Sequence, residues 1–218
     1  MSAAATERAA RRARIAGVYA VTPDATDTVR LTAQVAAAIA GGARVVQYRN
    51  KTASSALRAG QAAALAHVCA AHGALLIVND DADLAIAVQA DGVHLGEDDG
   101  DLAATRARVG DAMLIGVSCY DDAQRARDLA AAGADYVAFG SFFLSQVKPG
   151  ARRADVSLLA GARTLGVPVV AIGGITADNA RSLVVAGADA VAVISAIFAP
   201  GEPAAITTAT RALAACFP

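Results

Sequence analysis

The sequence predicts a single (β/α)8 barrel, from eight short runs rich in β-branched residues, longer alanine-rich stretches between them, and a glycine at or shortly before each run. Several runs are apolar throughout, as expected of parallel strands buried on both faces. An open doubly wound sheet would require two of the runs to be misassigned. The predicted strands are Val18–Thr22, Val45–Arg49, Leu75–Asn79, Gly92–Leu95, Leu114–Ser118, Tyr136–Gly140, Val167–Gly173 and Ala190–Ile194.

One phrase that ends a helix and starts a strand is nearly repeated. Ala-Gly-Ala-Asp stands at 132–135 and again at 186–189, each time before an apolar run. Glycine here can adopt the left-handed conformation that closes a helix. We expect helix N-caps at Asp27, Asp121 and Thr176. The predicted helices are 27–41, 54–72, 81–89, 100–109, 121–132, 155–165, 176–186 and 203–215.

Composition and charge exclude several classes of function. The formal net charge of −1 favours neither nucleic acid nor an anionic membrane surface, and no apolar run is long enough to span a bilayer. Residues 1–16 are interrupted by arginines, unlike a signal peptide, and predict a solvated helical extension before a barrel domain at 17–218. Three widely spaced cysteines suit neither a disulfide framework nor zinc, so we expect a cytoplasmic protein. The alanine-rich helix faces leave homo-oligomerisation open.

Acidic side chains follow two neighbouring predicted strands. In a barrel of this kind the active site lies at the carboxyl ends of the strands. Asp80 and Asp99 are expected there and could together hold one Mg²⁺, which typically takes one or two carboxylates. Asp81 or Asp98 could replace either of them, and helix N-capping is the structural alternative for each.

Basic and glycine residues at other strand ends indicate anion sites. Arg49, Lys51 and Lys148 could converge on a diphosphate. Gly173-Gly174, before a predicted helix, could bind a phosphate through backbone N–H groups, with Ile194-Ser195 as the other wall. Two anion sites and one metal site predict two phosphorylated substrates or one bisphosphate.

Six segments, in order along the chain, resemble the thiamine phosphate synthase family. The Gln-Tyr-Arg-Asn-Lys motif, followed by Asn-Asp and an acidic motif after the fourth strand, is the specific part, whereas Gly-Gly-Ile occurs in many phosphate-binding barrels. The likeness extends from about Tyr19 to Phe198. The segments are 47–51, 78–80, 92–99, 116–118, 136–140 and 171–175.

The resemblance implies an Mg²⁺-dependent transferase that joins a pyrimidine diphosphate to a thiazole phosphate and releases pyrophosphate. Asp80 and Asp99 would hold Mg²⁺, and Gln47 would orient the pyrimidine. Pyrophosphate departure would leave a pyrimidine-methyl cation that the thiazole nitrogen attacks. The diphosphate would be bound by Arg49, Lys51, Asn79, Ser118 and Lys148, and the thiazole phosphate by Gly173, Gly174, Ile194 and Ser195.

One loop departs from the family pattern. The family usually carries Thr-Ser-Thr-Lys after the sixth strand, whereas this chain reads Ser145-Gln146-Val147-Lys148. Ser145 keeps a hydroxyl for substrate binding and Lys148 keeps its charge. Val147 cannot donate a hydrogen bond, so we expect weaker binding of the thiazole phosphate.

Three other functions differ from this one in the residues that they require. A thiazole tautomerase would need no metal-bound diphosphate, a sugar-phosphate epimerase would need an acid–base pair that the sequence lacks, and a silent thiazole-phosphate-binding protein would need no metal or basic residues. Cys119 has no evident basic neighbour to activate a nucleophile. For His94, a position in the core or at the rim is favoured over a role as a ligand.

Overall fold

The computed structural model describes residues 2–144 and 152–218 and confirms the predicted (β/α)8 barrel. Eight parallel strands pair in chain order, and β8 closes the barrel by pairing with β1. The strands are β1 Gly17–Val21, β2 Ala43–Tyr48, β3 Leu75–Asn79, β4 Gly92–Leu95, β5 Leu114–Tyr120, β6 Tyr136–Gly140, β7 Val169–Ile172 and β8 Ala190–Val193.

The helices follow the predicted order with small shifts at their ends. A 3₁₀ turn, Arg163–Leu165, extends one of them, and the short helix Ser195–Phe198 was not predicted. The helices are α1 Ala3–Arg12, α2 Thr28–Ala40, α3 Ser55–His72, α4 Ala82–Ala87, α5 Leu102–Val109, α6 Ala123–Ala131, α7 Ser157–Ala162, α8 Ala177–Ala186, α9 Ser195–Phe198 and α10 Pro203–Ala214.

Among the bounds that differ from the prediction, the starts of α6 and β7 have clear physical reasons. The N-cap of α6 is Asp122 rather than Asp121, because the Asp122 carboxylate accepts the first free N–H groups of the helix at 2.8 and 2.9 Å. Strand β7 begins at Val169 rather than Val167. Pro168, which lies between those two residues, has no N–H to donate to a strand ladder.

The repeated aspartate before a strand has a structural role. The carboxylate of Asp135 accepts a hydrogen bond of 2.8 Å from the N–H of Ile115, near the start of the preceding strand. Asp189 accepts in the same way from Val169 at 2.7 Å. Each aspartate therefore ties the amino-terminal ends of two neighbouring strands together.

The barrel interior is a separate apolar cluster from the larger one between strands and helices. Side chains alternate along each strand, so Tyr19 points inward while Val18 packs toward the helices. Tyr136 from β6 and Ile77 from β3 fill the same interior. The interior is therefore a packed core whose open end is the carboxyl end of the strands.

The amino-terminal extension lies across the opposite end of the barrel. Arg11 pairs with Asp91 at 3.1 Å and donates to the carbonyl of Ala112 at 3.0 Å. Ile15 is buried in the interior cluster. The residues after α1 thus close the end away from the strand carboxyl ends. Within residues 2–144 and 152–218, no helix combines the length and apolarity needed to cross a membrane.

Candidate active site

The carboxyl ends of the strands surround a cavity of about 480 Å³. Because parallel strands all end on this side, residues far apart in sequence meet there. Predicted site residues that line it are Gln47, Arg49, Lys51, Asn79, Asp80, Asp99, Ser118, Gly173, Gly174, Ile194 and Ser195. Ser145 and Lys148, with Gln146 and Val147, lie outside the described residues.

The carboxylates of Asp80 and Asp99 face each other at one side of the cavity. Burial, and then the hydrogen bond and negative charge of Asp99, raise the pKa of Asp80 from 3.8 to about 6, while Lys51 lowers it. Asp99 is held in place by a 2.7 Å hydrogen bond from the N–H of Gly96. The pair therefore carries more negative charge than its neighbours neutralise.

This uncompensated pair fits a hard divalent cation. Mg²⁺ is commonly held by one or two carboxylates and completes its coordination with water and phosphate oxygens. No group of three or more His, Cys, Asp or Glu side chains gathers around a metal-sized space among residues 2–144 and 152–218. A full cage built from protein side chains is therefore not what these residues would provide.

The alternative carboxylates have other surroundings. Asp81 is the N-cap of α4, accepting from the N–H of Leu84 at 2.9 Å, and it faces Arg58 at 3.8 Å. Asp98 is exposed and does not line the cavity. Asp80 and Asp99 are the pair that the geometry favours.

The backbone at Asp80 is unusual for a residue with a side chain. Its φ is +64°, in the left-handed region, and its N–H donates to the carbonyl of His94 at 2.8 Å. Aspartate and asparagine tolerate this region better than most residues. The turn aims the Asp80 carboxylate toward the neighbouring strand end, where Asp99 lies.

Two cationic side chains enter the cavity from the loop after β2. Lys51 Nζ lies 3.8 Å from Asp80, and Arg49 Nη1 lies 3.7 Å from Asp24. Asp24 also accepts a 2.8 Å hydrogen bond from the N–H of Lys51. Asp24, which sequence analysis missed, thereby fixes the loop that presents both cations.

The glycine pair after β7 forms another wall. Gly173 and Gly174 have φ values of +105° and +62°, which glycine adopts readily. A Cβ at Gly173 would lie 2.0 Å from Ser141 Oγ, and one at Gly174 would lie 2.4 Å from the carbonyl oxygen of Leu144. Across residues 2–144 and 152–218, neither glycine N–H donates to a protein acceptor, so both are available to an anion.

A buried row of hydrogen bonds forms the floor of the cavity. Gln47 Nε2 donates to Tyr19 Oη at 2.8 Å, and Tyr19 Oη lies 2.9 Å from Tyr136 Oη. Tyr136 Oη lies 3.1 Å from His94 Nδ1, and His94 Nε2 lies 2.9 Å from Ser118 Oγ. Tyr19 and Tyr136 were not predicted as site residues, because each lies in an apolar strand where hydrophobic packing alone accounts for it.

The environments of His94 and Cys119 limit their chemistry. Burial lowers the pKa of His94 to about 4, so the ring is neutral near pH 7. Both of its ring nitrogens are engaged, which supports the expectation of a core or rim histidine. Burial raises the pKa of Cys119 to about 12, and its side chain packs in the cluster outside the barrel. Cys119 is therefore a protonated core thiol.

Arg152, which was not predicted as a site residue, also lines the cavity. Arg152 lies 3.9 Å from both Glu97 and Asp121, and its guanidinium is 5.8 Å from the centre of the Tyr120 ring. These contacts link the loops that follow β4, β5 and β6. Little in the local sequence around Arg152 indicated that it would reach those loops.

Comparisons with known proteins agree with this geometry. A family model described as "Thiamine monophosphate synthase" matches residues 18–197. A thiamine-phosphate synthase of Chromobacterium violaceum is 56% identical over 204 residues, covering 94% of this chain and 97% of that protein. One of Methylobacillus flagellatus is 55% identical, covering 86% and 90%.

Solved structures give the same result. A thiamine phosphate pyrophosphorylase from Pyrococcus furiosus matches with a TM-score of 0.82 and 32% identity, covering 94% of this chain and 96% of that one. A 3-hexulose-6-phosphate synthase, at 23% identity and a TM-score of 0.66, shares the fold. The family model and the relatives span nearly the whole barrel, and the chain belongs to the thiamine monophosphate synthase family.

Proposed function

We propose that this cavity condenses 4-amino-2-methyl-5-hydroxymethylpyrimidine diphosphate with 4-methyl-5-(2-hydroxyethyl)thiazole phosphate, giving thiamine phosphate and pyrophosphate. The chain is thus a transferase, a thiamine phosphate synthase like the relatives whose sequences are 55–56% identical to it. The observation that carries the proposal is the division of the cavity. Carboxylates and cations line one part, and the backbone N–H groups of the glycine pair, which have no acceptor among residues 2–144 and 152–218, line another.

The diphosphate belongs at the charged part. We assign Mg²⁺ to Asp80 and Asp99, where a cation would favour the ionised form of Asp80 against the burial and the Asp99 carboxylate that raise its pKa. When bound, Mg²⁺ would neutralise negative charge that develops on the departing pyrophosphate. Arg49 and Lys51 would donate to the phosphate oxygens as charge-assisted hydrogen bonds.

Three other predicted residues are assigned to the same diphosphate. Asn79 lines the cavity next to Asp80 and is assigned to the diphosphate. Ser118 supplies a hydroxyl from the end of β5. Lys148 is assigned to the diphosphate from its sequence position alone.

The reaction needs positioning more than acid–base chemistry. The bond between the pyrimidine methylene carbon and the diphosphate oxygen breaks, and the electron pair leaves with pyrophosphate. The thiazole nitrogen then uses its lone pair to form the new carbon–nitrogen bond. No proton must be removed from that nitrogen, which agrees with a neutral, fully hydrogen-bonded His94. Gln47 would orient the pyrimidine through its amide.

The thiazole phosphate belongs at the glycine wall. Gly173 and Gly174 would donate backbone N–H groups to it, since no protein acceptor in the described part of the chain takes them. Ile194, which follows β8, and Ser195, the first residue of α9, line the same cavity. Ser145 would add a hydroxyl, on the evidence of the sequence.

We also assign the enzyme to the cytoplasm. Cys69, Cys119 and Cys216 are all free thiols, and disulfides are rare in that compartment. The assignment agrees with soluble, small phosphorylated substrates.

The stoichiometry of the products tests this function. Purified protein with both substrates and Mg²⁺ should release one pyrophosphate for each thiamine phosphate formed, and neither product should accumulate when the thiazole phosphate is omitted. A thiazole tautomerase would release no pyrophosphate. Pyrophosphate release that is independent of the thiazole phosphate would indicate a hydrolase and contradict the proposal.

A further inference from the structure

The cavity floor contains an unbroken chain of hydrogen bonds through five strands. It joins Gln47 on β2, Tyr19 on β1, Tyr136 on β6, His94 on β4 and Ser118 on β5, with donor–acceptor distances of 2.8 to 3.1 Å. Tyr19 and Tyr136 are almost completely buried, with exposures of 1% and 0%. Buried hydroxyl protons need acceptors, so the direction of each bond can be worked out.

The direction follows from the orientation of the Gln47 amide, whose nitrogen faces Tyr19 Oη. The amide nitrogen of Gln47 can only donate, so Tyr19 Oη accepts from it. Among the described residues, the remaining partner of the Tyr19 hydroxyl is Tyr136. The Tyr19 proton therefore goes to Tyr136 Oη, because the opposite direction would leave a buried proton without an acceptor.

The histidine tautomer follows from the same requirement that each buried proton has an acceptor. Tyr136, having accepted from Tyr19, gives its own proton to His94 Nδ1, at 3.1 Å. His94 Nδ1 must then be unprotonated, so the ring proton lies on Nε2 and is donated to Ser118 Oγ at 2.9 Å. A protonated imidazolium would donate to Tyr136, and the buried Tyr19 hydroxyl proton would then have no acceptor.

The last member of the chain is the one that faces substrate. Ser118 Oγ accepts from His94, and within residues 2–144 and 152–218 its own proton has no protein acceptor. Ser118 lines the cavity. Its hydroxyl is thus left as a donor toward whatever oxygen occupies the cavity.

We infer that Tyr19, Tyr136 and His94 are positioning residues. The two tyrosines hold His94 as the Nε2–H tautomer, and His94 in turn presents Ser118 as a hydrogen-bond donor to the departing pyrophosphate. The identity of the acceptor rests on the proposed function, whereas the tautomer rests on the hydrogen bonds and on the orientation of the Gln47 amide. No proton is transferred along the chain in this account.

The backbone opposite Tyr136 is shaped for this arrangement. Gly116 lies on β5, two residues before Ser118, and a Cβ there would come within 1.9 Å of Tyr136 Cζ and 2.3 Å of its hydroxyl oxygen. The His94 ring stacks on the Tyr136 ring, with centroids 5.6 Å apart and planes inclined by 25°. Glycine at this position lets the tyrosine hydroxyl reach His94.

The tautomer can be measured in the unaltered protein. The chain has three histidines, and His67 and His72 are exposed on α3, so a ¹⁵N-histidine-labelled sample gives three ring systems. His67→Gln and His72→Gln identify the His94 signals. We expect a protonated Nε2 and an unprotonated Nδ1 near pH 7. A protonated Nδ1 would overturn the inference.

A double-mutant cycle tests the action through Ser118. Tyr136→Phe keeps the ring and removes the hydroxyl, and should lower kcat about tenfold, the effect typical of one lost hydrogen bond, with KM for the thiazole phosphate unchanged. In a Ser118→Ala background the same change should have little further effect. If the losses in kcat of the two single variants multiply in the double variant, Tyr136 does not act through Ser118.

A matched control separates the chain from burial in general. Tyr48 is also buried, and its hydroxyl donates to Gln61 at 2.9 Å in the layer between strands and helices. Tyr48→Phe should leave both the His94 tautomer and kcat unchanged. If Tyr136→Phe fails to fold, the His94 tautomer measured in the unaltered protein still tests the inference. A protein with the Nε2–H tautomer but without synthase activity would contradict the proposed function alone.

Discussion

The ammonium group of Lys51 lies 3.8 Å from the carboxylate of Asp80, yet Asp80 is not neutralised by it. Burial and the adjacent carboxylate of Asp99 outweigh Lys51 and raise the pKa of Asp80 to about 6. Without a metal ion the folded protein therefore holds an electrostatically unfavourable pair. Such a loss of folding stability is expected where two carboxylates are arranged to bind a cation and not to stabilise the fold.

Removing one charge of this pair should stabilise the protein without metal. Asp80→Asn preserves shape, and asparagine accepts the φ of +64°. We expect the free energy of unfolding in urea, with divalent ions removed, to rise by about 1–2 kcal/mol, given the rise of the Asp80 pKa from 3.8 to about 6 and partial solvent screening. Asp81→Asn is the control, since asparagine caps α4 equally well. A loss of stability in Asp80→Asn would contradict the electrostatic account.

The same pair predicts a pH dependence with a definite sign. The pKa of Asp80 is raised from 3.8 to about 6 on folding, so between those values the folded state binds more protons than the unfolded state. The free energy of unfolding of the wild type relative to Asp80→Asn should fall as pH rises through this window. Metal-free urea titrations of both proteins measure the difference. A difference that rises with pH would refute the assignment.

The glycine wall should not tolerate a side chain. Gly173→Ala places a Cβ 2.6 Å from Ser141 Cα at a φ of +105°, so we expect a loss of about 2 kcal/mol or more. Gly60, within α3, has open space around it. Gly60→Ala should instead stabilise by about 0.5–1 kcal/mol. Urea unfolding compares the two. Equal effects at both glycines would contradict a strained, closely packed turn at Gly173.

Cys119 should be dispensable for catalysis. Burial raises its pKa to about 12, and its side chain is fully buried in the outer core. Cys119→Ala should therefore keep kcat within about twofold of the wild type, with a stability loss of about 1 kcal/mol for the vacated volume. Steady-state kinetics on the folded variant give the answer, and a hundredfold fall in kcat would assign the thiol a role in the reaction.

Fold and site differed in how far sequence could predict them. The eight strands follow from apolar runs that alternate with glycine-closed helices, and that pattern is local. The errors were local too. Asp121 and Asp122 are adjacent and chemically identical, so composition could not select the N-cap.

The floor of the cavity depends on contacts between distant strands. Tyr19 and Tyr136 are separated by 117 positions, yet their hydroxyls lie 2.9 Å apart. Each tyrosine sits in an apolar strand, where hydrophobic packing alone accounts for it. Strand alternation can predict that both point inward, but only barrel closure brings β1 and β6 face to face across the interior.

The charged part of the cavity was easier to predict because motif and topology agree there. Asp80 and Asp99 follow adjacent strands, and adjacent strands end side by side. Asp24 and Arg152 were missed because a single charge in a loop has no distinctive local pattern. Their contacts are visible only once the loops are placed together.

The most direct test of the central claim is the rate of thiamine phosphate formation, read by fluorescence after oxidation to its thiochrome, as Mg²⁺ is varied. The wild type with both substrates should form product in Mg²⁺ and none after chelation. Folded Asp80→Asn and Asp99→Asn should each lose at least about a hundredfold in kcat/KM, equivalent to about 2.7 kcal/mol of transition-state stabilisation. Full activity in chelator, or in both variants, would contradict a metal-assisted synthase at this cavity.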